Sequence, residues 1–167
     1  MTLPQTAAQE NVNIIRAWID AHNRQDMKAL DYMDENIEII EIPTGVVYKG
    51  MTKMKELAKI AYRRRGWKDI TNLIATDDEV CVEYIARADM SKPLTEAEKK
   101  SGIHGIDTSK ARASNAPFEM RVCFVCHMKD GKIDRAREYW DVATITRQFR
   151  IENPLTKLLT FFMRHNS

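Results

Sequence analysis

The sequence predicts an α+β fold: a cone-shaped, curved antiparallel sheet packed against three N-terminal helices, with a C-terminal helix. Two observations support this fold class. Apolar residues recur mainly at helical spacing before Gly66, whereas from Trp67 onward they alternate with the period of a β-strand. Tight turns at Asp77-Asp78 and Asp130-Gly131 separate consecutive strands, as in an antiparallel meander. A single domain, residues 1–167, accommodates all of these elements.

The N-terminal part of the chain contains the three predicted helices. The first covers residues 8–24, a short second helix follows Asp26, which can cap it, and the third covers residues 52–66. A strand over residues 37–42 lies between the second helix and the third. The inward stripe of the first helix consists of Val12, Ile15, Trp18, Ile19 and His22.

Four strands and a closing helix follow. The strands are predicted over residues 68–76, 79–88, 118–128 and 132–140, and the helix over residues 142–151. A polar insert, residues 89–116, contains a short helical segment near residues 94–100. A connection of this length is usually a lid, a dimer arm or a mobile segment. The apolar tail, residues 152–167, has to pack on the domain, on a second subunit or, less readily, on a membrane surface.

The composition argues against several kinds of partner. Lysine plus arginine number 26 and aspartate plus glutamate 24, so the net charge of +2 provides no strong field for nucleic acid or an anionic membrane. No stretch approaches the roughly 20 apolar residues of a membrane span. The three cysteines suit a reducing compartment, and a cytoplasmic location is expected. The run Arg63-Arg64-Arg65 ends a predicted helix, which favours compensation of the helix dipole over a binding patch.

Neither a metal nor a cofactor is expected. The four histidines are scattered, and no pair of them has the spacing of helical metal ligands. Cys123 and Cys126 match the C-x-x-C spacing, but residues three apart on a strand point to opposite faces. The sequence also lacks a glycine-rich phosphate loop and a nucleophile elbow.

The last predicted hairpin carries an acidic residue, Glu138, on its apolar side. The inward phase of the incoming strand consists of Met120, Val122, Phe124, Cys126 and Met128. A three-residue loop with Gly131 in the left-handed conformation gives the outgoing strand the inward residues Ala136, Glu138 and Trp140. An inward carboxylate is costly, and such groups occur more often at sites of chemistry than elsewhere.

Three short strings, in this order of elements, resemble a known superfamily. They are Trp18 to Asp26, Pro43 to Gly50, and Gly131 to Asp141 with the following Arg147-Gln148. Together they resemble the nuclear transport factor 2-like superfamily, and within it the SnoaL-like polyketide cyclases, limonene epoxide hydrolase and ketosteroid isomerase. The resemblance covers most of residues 8–148 and leaves out the insert and the tail. It implies the fold more specifically than an activity, because this fold hosts enzymes and non-enzymes.

The resemblance carries over selectively to individual residues. Glu138 falls where the cyclases and the epoxide hydrolase have their catalytic aspartate. The other positions have lost the functional residue. The isomerase's general base corresponds to Ile42, its tyrosine corresponds to Trp18, and its second aspartate falls at or near Phe124. The hydrolase's arginine and second aspartate fall near Tyr84 and Ala86. Asp141 matches a residue common at this strand end, and we interpret it as a helix cap.

The resemblance implies a cofactor-independent enzyme, an isomerase, cyclase or hydrolase, that transfers protons on a small apolar, ring-containing molecule. We expect Glu138 as the acid/base and His22 as a second catalytic residue, with Tyr84 and the indoles as further candidate donors. The residues expected to line the substrate cavity are Trp18, Ile42, Leu57, Tyr84, Met120, Val122, Phe124 and Trp140. Homodimers are common among the proteins that the chain resembles, and a homodimer is expected here.

A second interpretation stays open from the sequence. Glu138 would pair with an arginine or lysine, and the domain would bind a ligand or dimerise without chemistry. Glu41, the other acid near the predicted pocket, is expected to be exposed because Ile40 and Ile42 take the apolar phase of its strand.

Overall fold

A six-stranded sheet forms the centre of the fold in the computed structural model, which describes residues 6–101, 106 and 118–149. In chain order the strands are β1 (Met33–Glu41), β2 (Val46–Lys49), β3 (Trp67–Ala75), β4 (Glu79–Ala88), β5 (Phe118–Lys129) and β6 (Lys132–Trp140). Across the sheet they follow the order β2-β1-β6-β5-β4-β3. The predicted α+β fold with a curved sheet is confirmed. Within it, β1 runs parallel to β6, so the sheet is mixed rather than wholly antiparallel.

Five helical segments accompany the sheet in the part of the chain that the structure describes. They are α1 (Ala7–Asn23), a 3₁₀ helix (Met27–Tyr32), α2 (Gly50–Arg63), α3 (Glu96–Ser101) and α4 (Val142–Gln148). Asp26 caps the 3₁₀ helix and Asp141 caps α4, as predicted, because their carboxylates accept hydrogen bonds from backbone N–H groups of the first turn. Most of the predicted insert, the end of the closing helix and the whole apolar tail lie outside the described residues.

The apolar stripe of α1 packs on the inward face of the sheet. Ile15, Trp18 and Ile19 are buried, and the Trp18 ring lies 5.2 Å from the ring of Phe124, measured between centroids. Val80 and Val82 of β4 are fully buried on the same inward face. Burial of these large apolar side chains is the main source of stability at this interface. No helix within the described ranges has both the length and the apolar character needed to cross a membrane.

A β-bulge in β6 determines which of its side chains face the helices. The hairpin turn contains two residues, Asp130 and Gly131, both with positive φ, rather than the predicted three-residue loop. Lys129 therefore pairs with Lys132. Further along, the pairing shifts by one residue, and Asp134 is the extra residue on β6.

This extra residue reverses the phase of the rest of β6. If Asp134 paired with His127 in an uninterrupted ladder, the two-residue turn would place Arg137 opposite the inward Phe124. Because Asp134 is left unpaired in the bulge, Glu138 stands opposite Phe124 and shares its face. The predicted inward phase of Glu138 thus agrees with the structure, but the bulge produces it rather than the turn.

A second bulge has the same effect in β3. Ile70 pairs with Tyr84, whereas Asn72 pairs with Glu83, so Thr71 is the extra residue. In the part of β3 that precedes the bulge, the side chain of Lys68 rather than that of Asp69 therefore faces inward. Both bulges therefore turn a charged side chain toward the space under the helices.

The start of the insert is fixed to α2 by a buried ion pair. Arg64 is 5% exposed and Glu98 2%, and the guanidinium donates to both carboxylate oxygens at 3.0 Å. Although burial acts to raise it, hydrogen bonds from Arg64 and Thr95 lower the pKa of Glu98 to about 2. Arg64 also donates to two backbone carbonyls of the insert. The central arginine of the basic run thus has a structural partner beyond the helix dipole.

Candidate active site

The helices and the inward face of the sheet enclose a cavity of about 290 Å³. Its walls are mainly apolar and aromatic. Of the residues predicted to form the site, the cavity is lined by Trp18, His22, Leu57, Tyr84, Met120, Val122, Phe124 and Glu138. Trp67 also lines it while remaining 45% exposed, so this residue lies at the rim. A largely apolar cavity with a few polar groups is the usual form of a small-molecule site.

Two of the predicted lining residues lie elsewhere. Ile42 is 43% exposed and is not among the lining residues, because β1 ends at Glu41 and Ile42 already belongs to the following turn. Trp140 has the predicted inward phase and is buried, but it borders a different depression near Tyr139 and Asp141. The end of β6 extends past the cavity, which separates Trp140 from Glu138.

Glu138, Tyr84 and Lys68 form a hydrogen-bonded chain in the cavity. The Tyr84 hydroxyl donates to Oε1 of Glu138 at 2.7 Å, and Nζ of Lys68 lies 3.3 Å from the same hydroxyl. Burial, followed by the charge of Glu138 and the hydrogen bond to it, raises the pKa of Tyr84 well above its ordinary value. Tyr84 therefore keeps its proton and remains a donor to Glu138.

Lys68, which the sequence did not indicate, extends over two aromatic rings. Its Nζ lies 4.7 Å from the centroid of the Trp18 ring and 4.7 Å from that of the Tyr84 ring. Burial lowers the pKa of Lys68, and the charge of Glu138 acts in the opposite direction. A lysine amine thus stands beside the carboxylate predicted to act as acid/base.

Glu41 is a second carboxylate at the cavity, and the expectation that it is exposed was wrong. It is 2% exposed and lines the cavity, because Ile37, Ile39 and Glu41 form the inward phase of β1. In the parallel register Glu41 pairs with Glu138 of β6. Adjacent strands lie about 4.8 Å apart, so the two acids are neighbours on the cavity wall.

A second tyrosine accompanies Glu41. Burial raises the pKa of Tyr48 above its ordinary value, as do the charge of Glu41 and a side-chain hydrogen bond to it. The Thr44 hydroxyl also donates to Glu41, at 3.4 Å. Each cavity carboxylate is therefore held by the hydroxyl of a protonated tyrosine.

His22 lines the cavity as predicted, but as a neutral imidazole. Burial, and next the charge of Lys68, lower its pKa to about 3. Its ring lies 5.3 Å from the ring of Tyr62 in an edge-to-face arrangement. A neutral imidazole can donate one hydrogen bond and accept another at physiological pH, but it cannot serve there as a cationic acid.

The arrangement provides the parts needed for proton transfer. A carboxylate can accept a proton from carbon or from a hydroxyl, while hydroxyl and amine donors beside it stabilise developing negative charge. Among the described residues, Glu138 forms no ion pair with an arginine or lysine. In the same part of the chain, no group of three or more histidine, cysteine, aspartate or glutamate side chains could hold a metal ion.

Comparisons with known proteins identify the family. The model of the SnoaL-like polyketide cyclases matches residues 12–149. Comparison with curated proteins gives no significant match.

Among solved structures, a protein described as a SnoaL-like polyketide cyclase from Jannaschia sp. CCS1 is 12% identical with a TM-score of 0.67, over 92% of this chain and 100% of that chain. SalBIII, an epoxide hydrolase/cyclase-like enzyme of pyran ring formation in salinomycin, is 16% identical with a TM-score of 0.63, over 81% and 94%. An LEH-like epoxide hydrolase from M. tuberculosis is 15% identical with a TM-score of 0.63, over 88% and 89%.

At these identities the structural similarities support the fold alone. The family model, however, covers most of the chain, from the first half of α1 to the residue after α4. The chain therefore belongs to the SnoaL-like polyketide cyclase family.

Proposed function

We propose that the protein is a cofactor-independent enzyme that transfers a proton on a small, apolar, ring-containing molecule, with Glu138 as the acid/base group. The observation that carries this proposal is the Glu138 carboxylate inside an apolar cavity, held by a 2.7 Å hydrogen bond from Tyr84. A carboxylate used only for structure would be expected to pair with an arginine or lysine. The described residues give Glu138 no such partner.

The chemistry begins with Glu138 as base. Its carboxylate removes a proton from a carbon beside a carbonyl group, or from a hydroxyl, of the bound molecule. Negative charge then develops on the substrate oxygen, and the amine of Lys68 or the neutral imidazole of His22 can donate to it. Tyr84 holds the carboxylate in position during this step.

Glu41 gives the cavity a second place for a proton. Because it neighbours Glu138 on the adjacent strand, it can return a proton at a different atom of the same substrate. If the proton returns to a carbon atom of the substrate, the reaction is an isomerisation. If the proton goes to an epoxide oxygen, the epoxide ring opens, and attack by water makes the reaction a hydrolysis. If a substrate hydroxyl attacks instead of water, the reaction closes a new ring. The family and its structural neighbours, which are described as cyclases, epoxide hydrolases and isomerases, support this range.

The rival interpretation is a cavity that binds a small ligand, or a domain that dimerises, without chemistry. The absence of the other familiar catalytic residues at Ile42, Phe124 and Ala86 favours this rival. The homodimer and the cytoplasmic location remain predictions. They do not affect the assignment of Glu138.

A panel of two reactions tests the proposal. β-Tetralone in D₂O reports removal of a proton beside a ketone, by NMR, and cyclohexene oxide reports epoxide opening, by chromatography. We expect the wild type to accelerate at least one reaction, and Glu138→Gln to lose about 10²–10⁴-fold of that acceleration. Glu83→Gln, on the exposed side of β4, is the matched control and should retain it. Ligand binding without any Glu138-dependent reaction would favour the rival.

A further inference from the structure

We propose that Lys68 is a covalent catalytic residue that forms an imine with the carbonyl group of an apolar ketone or aldehyde. This inference rests on the proposed function and names its substrate class. A carbonyl compound bound as an imine presents an acidified carbon to the neighbouring Glu138. The cavity would then combine an electron sink and a base that both contact the hydroxyl of Tyr84.

The position of Lys68 carries the inference. It lines the cavity, and its Nζ lies 3.3 Å from the Tyr84 hydroxyl that is itself bonded to Glu138. The amine also lies over the faces of Trp18 and Tyr84, which restrict its position. No salt bridge to Lys68 occurs within the described ranges, although Glu138 and Glu41 line the same cavity. The amine is thus near the proposed base without being ion-paired to it.

An irregularity of the backbone directs the side chain of Lys68 into the cavity. The bulge at Thr71 shifts the phase of β3, so that Lys68 faces inward and Asp69 outward. Bulges near the sites of enzymes commonly re-aim a side chain in this way. A surface lysine would require no such irregularity.

The environment favours the nucleophilic form of the amine. A lysine desolvated by apolar surroundings loses part of its preference for the ammonium form, and this is how amine nucleophiles are activated. The cavity provides such surroundings through Trp18, Tyr84 and Phe124. The same walls select an apolar carbonyl compound over a charged one.

The covalent step balances without a cofactor. The neutral amine attacks the carbonyl carbon, a C–N bond forms, and a proton moves from nitrogen to the former carbonyl oxygen. Protonation of that oxygen releases water and leaves an iminium ion. Glu138 then removes the proton from the adjacent carbon, giving an enamine, and the reverse transfer followed by addition of water regenerates the amine and the carbonyl group.

A non-covalent role makes a different prediction. If Lys68 only stabilised negative charge on the substrate oxygen, an arginine would preserve much of its effect, since the charge would be kept. Imine formation requires a primary amine, which arginine lacks. Lys68→Arg therefore separates the two roles, and Lys68→Met removes both.

The experiment is reductive trapping of β-tetralone. The wild-type protein is incubated with the ketone and sodium cyanoborohydride at mildly alkaline pH, and the adduct is mapped by peptide mass spectrometry. We expect one dominant adduct, on Lys68, in which the ketone is added and its oxygen lost as water. Lys68→Arg and Lys68→Met should lose this adduct while still showing the melting transition of a folded protein. Because the mapping uses the wild type, it is decisive even if a variant does not fold.

Labelling spread over surface lysines, with Lys68 unmodified, would overturn the inference. Glu138-dependent deuterium exchange without an adduct on Lys68 would overturn the imine but leave the proposed proton transfer intact. An adduct on Lys68 together with exchange that does not depend on Glu138 would support the imine and contradict the proposed base. The two failures are therefore distinguishable.

Discussion

The Nδ1 atom of His127 lies 2.6 Å from Oδ1 of Asp134, the extra residue of the bulge in β6. This contact connects β5 to β6 at the point where their register shifts. The shift is what places Glu138, rather than Arg137, opposite Phe124 on the inward face. Whether Glu138 or Arg137 faces the cavity thus depends on the bulge at Asp134, four positions before Glu138 in the sequence.

Insertion of one alanine after Asp134 should remove the function of the site. If the single-residue bulge is kept, the longer strand places Arg137 opposite Phe124 and turns Glu138 outward. We expect complete loss of Glu138-dependent turnover, together with a lower melting temperature because an arginine enters the core. Deletion of Asp134 is the control, because it removes the bulge but leaves Arg135 opposite His127 and Glu138 opposite Phe124. The deletion should retain turnover, and a deletion variant as inactive as the insertion variant would contradict the importance of register.

Removal of the Tyr84 hydroxyl should weaken activity more than stability. Tyr84→Phe deletes the donor to Glu138 and preserves the buried ring. A hydrogen bond to a charged group contributes about 1.5–3 kcal/mol, so we expect turnover to fall about 10-fold to 100-fold. Steady-state kinetics measure this, with Tyr139→Phe on the exposed face of β6 as control. Unchanged kinetics in Tyr84→Phe would argue that this tyrosine does not position the base.

The buried pair of Arg64 and Glu98 should be visible in chemical denaturation. Glu98→Gln leaves the guanidinium of Arg64 without its charged partner, and breaking a buried pair in this way costs about 3–5 kcal/mol. Glu96→Gln, an exposed member of the same helix, should change the free energy of unfolding by less than about 0.5 kcal/mol. Equal stabilities of the two variants would contradict the anchoring of the insert through Glu98.

The same pair has a defined pH dependence. The pKa of Glu98 is lowered to about 2 in the folded protein, from an ordinary value of 4.5. As pH falls, the unfolded chain therefore binds a proton at Glu98 before the folded chain does. The contribution of Glu98 to the free energy of unfolding is complete above its ordinary pKa and is lost as pH falls toward 2. In Glu98→Gln this part of the acid dependence should be absent. If urea denaturation shows the same slope of unfolding free energy against pH in the wild type and in Glu98→Gln, the lowered pKa of Glu98 would be contradicted.

His22 should destabilise the fold in acid for a related reason. Its pKa is about 3 in the folded protein and 6.5 ordinarily, so between these values the unfolded chain binds a proton that the folded chain does not. The free energy of unfolding therefore falls as pH decreases through this window. His22→Gln should show a shallower decrease in urea denaturation series. NMR titration provides a direct check: a His22 ring that protonates near its ordinary pKa would contradict its burial as a neutral group.

The sequence was sufficient to predict which side chains face the core wherever a single periodicity dominated a segment. The stripe of Trp18 on α1 and the inward phase of Phe124 on β5 follow from uninterrupted helical and strand spacing. Glu41 was missed because both phases of its strand contain isoleucines, so alternation alone could not decide which one faces the core. Lys68 was missed because a bulge breaks the alternation of β3, and a single extra residue has no reliable sequence signal. The parallel pairing of β1 with β6 joins distant segments, and a strand's own pattern does not report the direction of its partner.

The most direct measurement of the central claim is the rate of deuterium incorporation into β-tetralone by three proteins: wild type, Glu138→Asp and Glu138→Gln. The claim predicts that aspartate, which keeps the acid with one methylene fewer, retains part of the rate, whereas glutamine loses about 10²–10⁴-fold. Each variant should keep the melting temperature of a folded domain. Equal rates for glutamine and the wild type would show that Glu138 does not transfer the proton.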